Sequence, residues 1–332
     1  MRLFTSFLLL SLSLSLSIPT LTTSYIPHTP QCVTCTDSRT SQKIILVGSV
    51  HYNPASIALA RRTVSSQDNL GAVVVESCSA RWRRSLKVSP KGSFLGDFLP
   101  SEMQAASIAA TDRGVPLCLG DVDVDDFTPR LKAIFKGTLT DLLTPAGWGR
   151  IRTDIQRGAS LAFDTSSLED SLQPYDFISD PAVLLGFTVS LVRYPIAAAV
   201  KAPVPFAVFA TSLTAISSFF DSALSTSVDA PPLSTGELVL TSIITIFNIL
   251  LPVVFARLML VGFLEERNVR LARSITEAAS LTNGSVVAIL GGLHVNGVAK
   301  LLESEEMLRG DRGGDTKAGT WWTDDMVESV DA

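Results

Sequence analysis

Charge, histidine and basic runs are all scarce in this sequence, and each shortage excludes something. Only 18% of the 332 residues are charged against 46% apolar, and the mean hydropathy is +0.34. Soluble domains carry about a quarter of their residues as charges, so part of the chain is expected to leave water. The formal net charge is −5 with no long basic run, which argues against an extended nucleic-acid surface and removes nucleic acid as an expected partner. Cysteine is limited to Cys32, Cys35, Cys78 and Cys118. Cys32-Val-Thr-Cys35 is a CxxC, but no second CxxC completes a zinc site and Thr36 stands where haem attachment needs a histidine. It reads as a linker pair, and Cys78 and Cys118, in apolar runs, read as buried small hydrophobes.

The N-terminus reads as an address. Met1-Arg2 supplies a positive charge, Leu3 to Ile18 is apolar, Pro19 breaks it, and the small polar run Thr20 to Ser24 can hold a cleavage site. The stretch is short for a spanning helix, so residues 1–24 are expected to be a signal segment. Residues 25–42 are Thr/Ser-rich and read as a linker or presequence tail. Entry is through the secretory pathway, or into a plastid by a two-part presequence.

Beyond that address the chain alternates strand and helix. Lys43 to Gly48, Gly71 to Glu76, Val115 to Asp121 and Ser285 to Gly291 are short apolar runs of the buried-strand kind. Helical spacing fills Pro54 to Ser65, Ser101 to Arg113 and Glu265 to Leu281, the last stopped by Asn283-Gly284. This predicts an α/β fold, a mostly parallel or mixed sheet with flanking helices, over 43–303. A polar tail, 304–332, follows and reads as loose.

The domain is interrupted by an apolar helical insertion, 181–262. Ala202 to Phe220 and Leu238 to Ala256 are each 19 residues without a charge, about the length that crosses a bilayer. The linker between them holds Asp221, Asp229 and Glu237, and the outer flanks hold Arg193, Lys201 and Arg257. By the positive-inside rule this is a membrane hairpin with both flanks on one side; two buried core helices are the alternative.

Of three histidines, His28 lies in the presequence tail. His51 and His294 each follow a predicted strand in the same short pattern, Gly48-Ser-Val-His51 and Gly291-Gly-Leu-His294. Ligands of open parallel sheets bind beyond the carboxyl ends of strands, so two such imidazoles point to a shared site. Glu76 ends the second strand on the same rim, suited to hold a metal or to act as general base on its water. Asp121 ends the third. Glu265 and Glu266 open a predicted helix, where the dipole alone would favour them. Arg81 and Arg130 suit a substrate carboxylate or phosphate, or an ion pair with Asp121 or Glu266.

Ile45-Leu-Val-Gly-Ser-Val-His51 followed by Val73-Val-Val-Glu76-Ser-Cys-Ser-Ala-Arg81 resembles the opening of TraB/PrgY/GumN domains, a Gly-Thr-x-His strand end before a Glu-x-x-x-x-Arg strand end. Leu119-Gly-Asp121 through Thr128-Pro-Arg130 resembles the next block of that family with shifted spacing. Pro252 with Glu265-Glu266-Arg267-Asn268 resembles its Glu-Arg-Asp helix start, and Gly291-Gly-Leu-His294-Val-Asn-Gly297 its closing Gly-His block. The matches run in family order over 43–130 and 252–303. Ser49, Val122, Asn268 and Leu293 depart from the pattern, while both histidines, Glu76 and Glu266 are retained. The family includes the TIKI peptidases, which are metal-dependent, bacterial proteins that shut off peptide pheromones, and mitochondrial membrane proteins resembling organisers of membrane contact.

The resemblance implies a divalent ion between His51, His294 and a carboxylate such as Glu76, with Glu76 and Glu266 as catalytic carboxylates and Arg81, Arg130 and Asp121 at the substrate. The expectation is a membrane-attached, metal-dependent hydrolase of peptide or protein substrates. The alternatives are a non-catalytic membrane adaptor and a haem- or metal-binding carrier.

Overall fold

The computed structural model describes residues 31–90, 92–168, 170–204, 250–304 and 319–322, with isolated positions between 206 and 242. The signal segment 1–24, the linker 221–237 and most of both 19-residue apolar runs lie outside the described residues.

Among the described residues, β1 (Cys32–Thr36), β2 (Lys43–Ser49), β3 (Leu70–Val75), β4 (Leu117–Leu119), β5 (Ser285–Gly291) and β6 (Thr320–Trp322) form one mixed sheet in the order β1-β2-β5-β3-β4-β6. The four central strands are parallel and both edges antiparallel. The helices are α1 (Pro54–Ser66), α2 (Ser79–Val88), α3 (Phe94–Phe98), α4 (Glu102–Asp112), α5 (Val124–Asp141), α6 (Pro145–Phe163), α7 (Pro174–Ile178), α8 (Pro181–Lys201), α9 (Glu266–Leu281) and α10 (Gly292–Glu303). This is the α/β fold with flanking helices that the strand–helix alternation predicts.

Strand side chains alternate between faces, and each face has its own core. Ile44, Leu46, Val74, Val286 and Leu290 meet Leu271, Ile275, Val295 and Val298 of α9 and α10 on one side. Ile45, Val47, Val73, Val75 and Ile289 meet Leu59, Val64, Ala106 and Ala110 of α1 and α4 on the other. Burial on both faces is why these strands read as unbroken apolar runs. Each fully buried Val, Leu or Ile contributes about 1.5–3 kcal/mol.

Four details differ from the sequence reading. First, residues 32–36 are an edge strand, not a tail: Val33 and Cys35 turn into the core while Thr34 and Thr36 face solvent. Cys32 and Cys35 thus point to opposite faces and neither forms a disulfide, and burial pushes the Cys35 thiol up to about 12. Second, Thr320–Trp322 of the polar tail pairs with β4, and Trp322 meets Trp82 edge to face at 6.3 Å. Third, Glu265 and Glu266 do not open a helix. The chain is helical without a break from 250 to Leu281, through a π-helical segment Leu258–Glu265. Fourth, among the described residues one helix, α8, is long and apolar enough to cross a membrane, with a mean hydropathy of 1.8; it lies just ahead of the charge-free run at 202–220. The Asn283-Gly-Ser285 turn forms as expected, with Gly284 at φ +113° and the Asn69 carbonyl 2.3 Å from where a Cβ would stand.

Candidate functional site

Parallel strands bring four chain segments to one edge of the sheet. His51 lies two residues past β2, Glu76 one past β3, Asp121 two past β4, and His294 three past β5. All stand beyond carboxyl ends, where open α/β sheets bind ligands. Three of them crowd around Gly291: a Cβ there would lie 3.2 Å from Glu76 Oε2, 3.4 Å from His51 Nε2 and 3.7 Å from His294 Cδ2.

Each imidazole is oriented by an acceptor on Nδ1. His51 Nδ1–H donates to Glu102 Oε1 at 2.6 Å, and the other Glu102 oxygen accepts from Tyr52 N–H at 3.3 Å. Tyr52 takes a left-handed φ of +61°, an uncommon conformation for a bulky residue that turns the chain back towards Glu102. Burial disfavours the His51 imidazolium, but the charge and hydrogen bond of Glu102 outweigh it and raise the His51 pKa to about 9. Burial likewise works against the Glu102 carboxylate, and the His51 charge and hydrogen bond overcome it and lower its pKa.

His294, buried in the first turn of α10, donates from Nδ1 to Asn268 Oδ1 at 2.6 Å. Its Nε2 stands 3.4 Å from Glu76 Oε1. Burial depresses its pKa in spite of the opposing Glu76 charge, so the ring is neutral at neutral pH with its free lone pair on Nε2. Gly297 leaves the room for Asn268, since a Cβ there would lie 2.2 Å from Asn268 Nδ2.

A buried ion network closes the other side. The Glu76 carboxylate accepts from Gly291 N–H and from Arg267 Nη2. The same guanidinium grips Asp121, with Nε 3.0 Å from Oδ1 and Nη2 on Oδ2. Arg81 Nη2 also binds Asp121 Oδ2, and Val122 N–H donates to Oδ1 at 2.7 Å. Burial alone would raise the Glu76 pKa; the His294, Arg267 and His51 charges drive it down instead. Asp121 is held ionised against burial by Arg267 and Arg81.

The structure therefore gathers His51, His294, Glu76, Asp121 and Arg81. Asp121 and Arg81 form the ion pair that was the alternative to a substrate contact, with the Arg81 side chain 40% exposed. Arg130 lies on α5, half-buried. In the helix that carries Glu266, the contacts to Glu76 and Asp121 come from the next residue, Arg267. Sequence reasoning missed three groups: Arg267, Asn268 and Glu102. The first two stand in the quoted Glu265-to-Asn268 motif; Glu102 follows the N-cap Ser101 and looked like an ordinary helix start.

Among the described residues no three His, Cys, Asp or Glu side chains are grouped as a metal-binding set. The donor chemistry nonetheless suits a cation held by nitrogen. Both Nδ1 atoms are occupied by acceptors, the outer-shell arrangement usual for metal-ligating histidines, which leaves His294 Nε2 beside the ionised Glu76 and His51 Nε2, once deprotonated, near the same Gly291. Compared with known protein families and with curated proteins, the chain matches none.

Proposed function

We propose that the chain is a membrane-attached, metal-dependent hydrolase of the TraB type, acting on peptide or protein substrates. One observation carries the reading: two histidines from separate strand ends, each with Nδ1 fixed by an acceptor, meet around Gly291 with Glu76, His294 Nε2 3.4 Å from its carboxylate and His51 Nε2 on the same glycine. His51 and His294 would hold the divalent ion through Nε2. When bound, such an ion acts as a Lewis acid and lowers the pKa of its water. Glu102 and Asn268 orient the two rings. Glu76, kept ionised by its cationic neighbours, accepts the water proton on a carboxylate oxygen. Arg267 and Gly291 N–H hold that carboxylate in place, and Arg81 offers its exposed edge to a substrate carboxylate. Glu266 is the second carboxylate of the proposal. Its role rests on the motif alone.

Peptide hydrolysis by the purified full chain, with a divalent ion supplied, tests this. Glu76→Gln should reduce the rate about 10²–10⁴-fold, the range for loss of a general base, with the two imidazoles still in place. Unchanged turnover would remove Glu76 from the chemistry.

A second reading, a membrane adaptor without catalysis, is favoured by one feature. The Glu76 carboxylate is already engaged by Gly291 N–H and Arg267, as a purely structural carboxylate would be. A chain that hydrolyses nothing with any divalent ion supplied would favour it.

A further inference from the structure

Helix α8 is built inside out for a helix exposed to water. One face packs lengthwise on the domain through Val183, Gly186, Val189, Ser190, Arg193 and Ala197. Those positions extend over about 21 Å of helix. Contact is close: a Cβ at Gly186 would lie 2.2 Å from Asn53 Oδ1 at the start of α1, and Asn53 Nδ2 donates to the Val183 carbonyl at 2.9 Å. The charge within the helix body, Arg193, is turned inward and lies over the Phe98 ring at 5.8 Å, with its Nε buried and unbonded. The outward face instead shows Leu184, Leu185, Leu191 and Tyr194, with Leu185 and Leu191 about 70% exposed (72% and 70%), and the half-buried Ala198 stands in line with Leu184 and Leu191. Water favours the opposite arrangement, with charge outside and leucine inside.

A helix docked lengthwise on a folded domain cannot also pass through hydrocarbon without taking the domain with it. An uncharged outer face beside a basic cluster has a natural counterpart in the surface of an anionic bilayer. That cluster stands at the C-terminal end of α8. Arg83, Arg84 and Lys87 of α2 are exposed, and Arg84 Nη1 donates to the Lys201 carbonyl at 3.3 Å. We propose that α8 lies in the plane of a membrane surface, its Leu184–Leu191–Ala198 face in the acyl boundary and the α2 cations on anionic headgroups. Tyr194, on that face, stacks on His51 with ring centroids 6.3 Å apart, so the candidate site sits beside the bilayer surface.

The flank charges behind the hairpin reading agree with this. Lys201 Nζ donates to Ser85 Oγ at 2.8 Å, and Arg257 binds Asp141 at 2.8 Å and Asp154. Together with the inward Arg193, they serve the fold and do not report membrane sidedness.

The test uses the full chain in a Cys32→Ser background with single fluorescent labels at Leu185→Cys, Leu191→Cys and Ala198→Cys. Labels are read in vesicles of mixed phosphatidylcholine and phosphatidylserine carrying lipid-attached quenchers at shallow or deep positions. The expected result is blue-shifted emission and the same shallow quenching at all three labels. Replacing Arg83, Arg84 and Lys87 by Glu should abolish quenching at Ala198→Cys while leaving the circular dichroism unchanged. Deep quenching at Leu191→Cys with shallow ends would show a spanning helix and overturn the proposal. Labels open to aqueous iodide, or shielded from every quencher by protein, would overturn it equally, the latter pointing to a protein partner. Quenching indifferent to the charge reversal would remove the anionic headgroups. No readout depends on catalysis, so loss of the hydrolase reading leaves this result intact.

Discussion

At the scale of residues, the site is decided by what stands on the far side of each ring. Glu102 sets the charge of His51. A folded pKa of about 9 against an ordinary 6.5 means that His51 stabilises the fold fully below about pH 6.5 and loses that contribution as pH rises through 9. Glu102, with its pKa lowered from 4.5, contributes above that value and loses the contribution as pH falls through its folded pKa. The pair is therefore most stabilising between those limits. Glu102→Gln should return the His51 titration, followed by NMR, towards 6.5; an unmoved titration would show that another group holds the proton. Arg267 is the second hinge of the argument. Arg267→Leu leaves Glu76 and Asp121 short of their shared cation and should cost about 3–5 kcal/mol in chemical denaturation, as for other broken buried pairs. Gly291→Ala places a methyl group 3.2 Å from Glu76 and 3.4 Å from His51; the expected outcome is a loss of metal affinity of about tenfold or more with the fold retained, since outer-shell disturbances cost that much.

At the scale of elements, the parallel core was legible because its strands are buried on both faces. Lys43–Ser49 and Ser285–Gly291 read as apolar runs, and their Gly-x-x-His ends followed directly. The edge strands were not legible. β1 has only Val33 and Cys35 turned inward, so two buried positions had to be seen against a Thr-rich background, and β6 is three residues long. Trp322 nonetheless packs on Trp82. Ending the chain before Gly319 should lower stability by about 1–3 kcal/mol, the usual cost of losing a few core contacts, read as a lower denaturation midpoint. The start of α9 misled for a different reason. Glu265-Glu266 has the charge expected of a helix start, but the π-helical segment Leu258–Glu265 carries the helix straight through. Such segments recur at functional positions, and here one ends two residues before Arg267.

At the scale of the whole molecule, the candidate site follows from strand order. β5 comes late in the chain yet lies between β2 and β3, so His294 is set between His51 and Glu76 although more than two hundred residues separate it from either. Pairing the two histidines was possible from their shared pattern. Glu102 could not be anticipated, because its partner is chosen by the turn at Tyr52 and not by any spacing. The apolar middle of the chain was visible as composition, while the orientation of α8 depends on which face meets α1.

If His51 and His294 belong to one cation site, calorimetric titration of the purified full chain with divalent ions reads it directly. The account predicts about one ion bound per chain, with His51→Ala and His294→Ala each abolishing it and neither unfolding the protein, and with proton release on binding because His51 must lose its proton to become a ligand. Absence of binding to the wild type with every divalent ion tried, or binding that survives both substitutions, would contradict it.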